Sequence, residues 1–134
     1  MPLEWRDQLS IGVPSIDADH KQLIAIINEF EAGSSAGAER LQSVARKLFQ
    51  YAASHFEREE RLQVLNGYGR HQAHQAEHNA LLDSLEAFIQ SHFIDRTKPI
   101  DTASAAEMAA FLKHWLVDHL IHSDLKMKGL VTER

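Results

Sequence analysis

Residues 55–78 read HFEREERLQVLNGYGRHQAHQAEH, and this stretch decides the fold. His55 and Glu59 stand four residues apart before the Asn66-Gly-Tyr-Gly69 break, and His74 and His78 stand four apart after it. Four residues turn an α-helix by about 400°, so each pair shares one helix face. A short glycine-bearing break between two helical runs makes them antiparallel neighbours. The two pairs then face each other at the same level.

Working outward, the same period continues on both sides. Helices are predicted near 17–32, 38–65, 71–93 and 103–122, separated by breaks at Gly33-Ser-Ser-Ala-Gly37, Asn66-Gly-Tyr-Gly69 and around Lys98-Pro99-Ile100-Asp101. Their apolar stripes are Leu23, Ile24 and Ile27; Leu41, Val44, Leu48, Ala52 and Leu62; Leu81, Leu82, Leu85 and Ile89; and Met108, Leu112 and Trp115. No stretch alternates long enough to make a strand. Asp17 is the expected N-cap of the first helix, Ser104-x-x-Glu107 the capping box of the fourth, and Gly67 the stop of the second. The fold class is all-α: an up-down-up-down four-helix bundle in a single domain spanning 1–134. Residues 1–16 form an arm whose Leu3, Trp5, Leu9, Ile11 and Val13 are expected to pack over one end.

Composition narrows the function. The 134 residues carry 14 Lys and Arg against 19 Asp and Glu, a formal charge of −5, which disfavours nucleic acid and anionic membranes as partners. There is no cysteine, so disulfides, thiolate zinc sites and iron–sulfur clusters are excluded. No apolar run exceeds that of Leu23 to Ile27, against the ~20 residues a spanning helix needs, and the N-terminus has no leader-like apolar region; the expected location is cytoplasmic. Nine histidines in so short a chain are the unusual feature.

Each apolar stripe contains histidine. His20 lies early on the first helix, His55 and Glu59 late on the second, His74 and His78 early on the third, and His119 late on the fourth. In an up-down-up-down bundle all six meet at one end. Burying so many polar groups without a cation costs about 1–3 kcal/mol for each unsatisfied one, and a bound metal removes that cost. His71 falls at the rim. His92 lies 14 residues beyond His78, about 21 Å along the helix, too far to be a ligand. His114 points off the stripe. His122, near the stripe and three residues after His119, is a rival ligand.

The order His20, then His55-Phe-Glu-Arg-Glu59, then His74-Gln-Ala-Glu-His78, then His119-Leu-Ile-His-Ser-Asp124 resembles the hemerythrin family in its single-domain bacterial form, the bacteriohemerythrins. The flanks agree: Trp5, residues 11–17 (IGVPSID), residues 51–60 (YAASHFEREE), Gly67-Tyr68 and Trp115-Leu116. The resemblance implies two iron ions with an oxo or hydroxo bridge. His74, His78 and His119 would bind one iron, His20 and His55 the other, with Glu59 and Asp124 bridging. Asp124 enters the ligand set through the resemblance alone. Twelve positions on two six-coordinate irons, less those these groups fill, leave one open on the two-histidine iron. The family binds dioxygen there, and nitric oxide is a second ligand it suggests. Leu116 would line the oxygen pocket. Asp19, Gly69, Leu62, Gln63 and Met127 depart from the residues usual at their positions, and none is expected to touch a ligand.

The expected function is therefore reversible dioxygen binding, for carriage, storage, delivery or sensing, without catalysis. An oxygen-activating di-iron enzyme or ferroxidase is the alternative, but such bundles use paired Glu-x-x-His motifs and this chain has none. As a sensor input module it would be expected to signal through a separate partner, since 134 residues leave no room for an output domain. One difficulty stands out. Five residues from His119 to Asp124 turn a regular helix by about 500°, pointing the two side chains about 140° apart. Either the helix widens into a π-type turn or it ends there and the chain bends inward. The rival set His114, Asp118 and His122, spaced four and four, needs no distortion.

Overall fold

The computed structural model describes residues 2–33, 37–95 and 100–133. Four helices form: α1 Pro14–Ala32, α2 Ala38–Leu65, α3 His71–Ile89 and α4 Thr102–His122. Among the described residues there is no strand, and no helix is long and apolar enough to cross a membrane. Consecutive helices run antiparallel: α1 packs on α2 and α4, α2 packs on α3, and α3 meets α4 through the Trp115 indole N–H donating to the Leu81 carbonyl at 3.0 Å and the stacked Phe88 and Phe111 rings. The predicted break residues 34–36, Lys98 and Pro99 lie outside the described residues.

The helix ends show where local chemistry differs from expectation. α1 starts three residues early because Pro14, with its φ fixed and no N–H to satisfy, occupies the first helical turn after extended Val13. Asp17 is thus not the N-cap. Its carboxylate instead accepts from the Ile11 N–H and the Ser10 hydroxyl, tying the arm to the helix start. The capping box of α4 is Asp101 with Ser104, not Ser104 with Glu107: Asp101 Oδ1 accepts the Ser104 N–H at 2.8 Å, and Ser104 Oγ accepts the Asp101 N–H at 2.9 Å. Gly67 does stop α2. At φ +62 it donates to the Val64 carbonyl while Tyr68 donates to that of Gln63, a Schellman closure. Beyond α3 the chain continues through a π-type turn, Gln90–Ile94, which brings Phe93 into the core beside Phe30 and Phe88.

Most predicted stripe residues are buried; Leu62, Leu81 and Leu82 are only partly so. The arm does more than cover an end. Leu3 exchanges backbone hydrogen bonds with the Asn28 side chain, so the arm lies along α1, with Leu3, Trp5 and Leu9 against the main core. Only Ile11 and Val13 join the end cluster of Ile16, Tyr68, Met127 and Val131.

Candidate metal centre

The period of each helix delivers His20, His55, Glu59, His74, His78 and His119 to one end of the bundle, all buried. Asp124, also buried, joins them by a route the sequence left open. α4 ends at His122, Ser123 turns out of the helix (φ −123, ψ −55), and Asp124 begins a short 3₁₀ turn, Asp124–Met127. The chain bends inward, and a π-type turn in α4 is not used. Protein contacts hold the bend: the Ser123 hydroxyl sits 2.7 Å from both Glu77 oxygens, and Met127 is fully buried in the end cluster. His122 is exposed and its Nδ1 donates to the Asp118 carbonyl of its own helix, so His122 and the exposed His114 are no part of the cluster. His71 meets Gln63, and His92 Nδ1 donates to the Phe88 carbonyl far from the site.

All five imidazoles aim Nε2 at the two carboxylates, and each carboxylate divides its oxygens. Glu59 Oε1 lies 2.8 Å from His74 and 3.1 Å from His78, while Oε2 lies 3.2 Å from His55 and 3.7 Å from His20. Asp124 Oδ1 lies 2.8 Å from His74 and 3.0 Å from His119, while Oδ2 lies 3.0 Å from His20. Two adjoining ligand groups result: His74, His78 and His119 with one oxygen of each carboxylate, and His20 and His55 with the other. Most of these separations match adjacent ligands of a six-coordinate ion. Metal–ligand bonds of about 2.1 Å at right angles place donor atoms about 3.0 Å apart. Moreover, His20, His55 and His119 Nε2 and Glu59 Oε2 are buried without a hydrogen-bond partner, as metal donors would be.

Electrostatics agree. Without a cation, burial lowers the His20 pKa, but the adjacent Asp124 and Glu59 carboxylates more than offset this and raise it to about 10. His74 rises to about 9 by the same balance of burial against Asp124 and Glu59. Burial pushes Glu59 up, yet the imidazoles of His20, His55, His74 and His78 gathered around it hold it well below the carboxylate range. The raised pKa values of His20 and His74 favour their protonated forms, so a metal entering the site must displace protons from them.

Three further carboxylates, missed by the sequence reading, hold the outer nitrogens. Asp19 receives His55 Nδ1 at 2.9 Å, Glu60 receives His78 Nδ1 at 2.8 Å, and Glu77 receives His119 Nδ1 at 2.6 Å. Each fixes the tautomer that turns Nε2 inward. Asp19 therefore does touch a ligand, contrary to expectation. The pattern is regular: Asp19 precedes His20 on α1, Glu60 follows Glu59 on α2 and Glu77 precedes His78 on α3, and each serves a histidine on the next helix. A carboxylate flanking a ligand was the signal available. Phe56, quoted only as motif, stacks on His78 with ring centroids 4.0 Å apart and approaches His55 and His119. It roofs the site with apolar surface.

Four antiparallel helices converging five imidazoles and two shared carboxylates on one buried end define a helical-bundle protein whose interior fits metal. The hemerythrin HHE cation-binding domain matches residues 12–131, and the chain belongs to the hemerythrin family. It is 30% identical over 125 residues to a bacteriohemerythrin of Pseudomonas aeruginosa, covering 91% of this chain and 76% of that one. It is 27% identical to the myohemerythrin of Sipunculus nudus, covering 96% and 92% respectively. The crystal structure of a wild-type hemerythrin superposes with a TM-score of 0.84 at 21% identity, covering 97% and 98% of the two chains, and shares the four-helix fold.

Proposed function

We propose that the chain binds two iron ions and takes up dioxygen reversibly. His74, His78 and His119 hold one iron, His20 and His55 the other, and Glu59 and Asp124 bridge them. The single observation that carries this is the division of oxygens: both carboxylates give one oxygen to each histidine group. One cation would leave one oxygen of each buried carboxylate unused. The iron pair supplies two one-electron reductants and an open coordination position. The protein supplies the rest. Glu59 and Asp124 would each offer one oxygen to either iron, three outer carboxylates lock ligand tautomers, and Phe56 with Leu116 would keep water from the ligand side.

Binding rather than oxidation catalysis follows from the donor set. Five neutral imidazoles and two carboxylates bring little anionic charge to stabilise high-valent iron. The family is one of oxygen-binding, non-haem iron proteins, which supports the same reading. Protein produced with ample iron is expected to contain about two irons per chain. After anaerobic reduction, air should bring up a visible ligand-to-iron charge-transfer band that argon removes. A single metal per chain, or a band that grows once and is consumed with substrate turnover, overturns the reading.

A further inference from the structure

The outer carboxylates pass from helix to helix, and the sequence of passes stops at α4. On the ascending helices α1 and α3 the carboxylate precedes the ligand (Asp19, Glu77); on descending α2 it follows (Glu60). The matching position on descending α4 follows His119 and is Leu120, apolar and buried. Among the described residues no carboxylate is passed on to α1, and His20 Nδ1 is buried without a partner. Glu60 and Glu77 both serve the three-histidine group. Asp19, through His55, is the one outer carboxylate, among the described residues, that serves the two-histidine group.

Asp19 is also held unlike the other two. Its side chain is 8% exposed, against 19% for Glu60 and 42% for Glu77. Arg58 grips both its oxygens, Nε to Oδ2 at 2.9 Å and Nη2 to Oδ1 at 2.8 Å, and the Tyr51 hydroxyl donates to Oδ1 at 2.8 Å. Tyr51, His55 and Arg58 form one stripe of α2 at spacings of four and three, facing the α1 position one residue before His20. Four donors fix this carboxylate, so it can neither rotate away from His55 nor exchange it for water.

Resting on the iron reading above, we propose that Asp19 is the positioning residue that sets iron retention and reduction potential in the two-histidine half of the centre, with Tyr51 and Arg58 restraining its pull on the His55 proton. A carboxylate accepting from Nδ1 makes the imidazole a stronger donor to iron and favours the more positively charged, oxidised ion. Donors placed on the carboxylate draw off part of that effect.

The test uses the full chain loaded with ferrous iron. Asp19→Asn keeps the size and removes the charge. One iron of the two is expected to be retained about 10–100-fold less tightly against a chelator, while the other stays. The midpoint potential should shift positive. Tyr51→Phe removes one donor from Asp19 and should shift the potential the opposite way, to more negative values, with both irons retained. A pair of residues that only joined α1 to α2 would give lower melting temperatures and no shifts of opposite sign. Wild-type potentials in both variants, shifts in the same direction, or equal loss of both irons overturn the proposal. If Asp19→Asn does not fold, the sign of the Tyr51→Phe shift decides alone. A wild-type chain that fails to hold two irons instead overturns the iron reading itself.

Discussion

Leu116 stands three residues before His119, buried in the main core with Phe56 and Trp115. We expect it to form the apolar wall of the ligand pocket together with the Phe56 ring that lies over His78. Leu116→Ala opens that wall to water, so the oxygenated form should oxidise to the ferric state faster, read as decay of its visible band. An unchanged rate places Leu116 away from the ligand. At this scale the sequence was informative wherever a residue lay on its helix stripe. His20, His55, Glu59, His74, His78 and His119 fall on apolar faces, and a polar group on an apolar face is conspicuous. Asp19, Glu60 and Glu77 were not legible, because each is turned about 100° from the neighbouring ligand and looks like an ordinary surface acid until the next helix is in place.

The elements were legible in number, order and length, and their ends less so. A stripe reports where a helix packs but not where its first N–H groups find partners. Pro14 and Asp101 captured those starts, against the assignments to Asp17 and Ser104 with Glu107. Asp124 was reached through the family resemblance and not through periodicity, for a related reason. Helical period extrapolated through residue 124 points it away from His119, and only the turn at Ser123 brings it back. The glycine stop, in contrast, was read correctly, and it positions the His74 and His78 pair by setting the start of α3. Gly67→Ala forces a Cβ into the left-handed region at φ +62, although that Cβ would meet no atom within 4 Å. The cost is therefore backbone strain alone, about 1–2 kcal/mol. Thermal unfolding should show a melting temperature lower by roughly 4–7 °C, with iron content unchanged. A wild-type melting temperature would mean the Schellman closure is redundant.

At the scale of the whole molecule, the site opposes the core that surrounds it. A fully buried Leu or Ile contributes about 1.5–3 kcal/mol, and each unsatisfied buried polar group costs about 1–3, so the orphaned donors of the centre offset several core residues until a cation satisfies them. Without metal, protons partly take the cation's place, and this makes stability depend on pH. His20 and His74 rise from 6.5 to about 10 and about 9, so the folded chain binds more protons than the unfolded one above pH 6.5. Their contribution is complete below 6.5 and is lost as pH climbs toward 9 and 10. Glu59 is held below its ordinary 4.5, and Asp124 below 3.8, so theirs is complete above 4.5 and is lost as pH falls. The metal-free chain should therefore be most stable between 4.5 and 6.5. Iron reverses the upper limb, because coordination needs the imidazoles deprotonated and rising pH removes the competing protons. Melting temperatures of the iron-loaded and metal-free chains should diverge progressively from about pH 6 to about pH 9. Curves that stay parallel over that interval would show that the imidazoles already stand neutral in the metal-free fold.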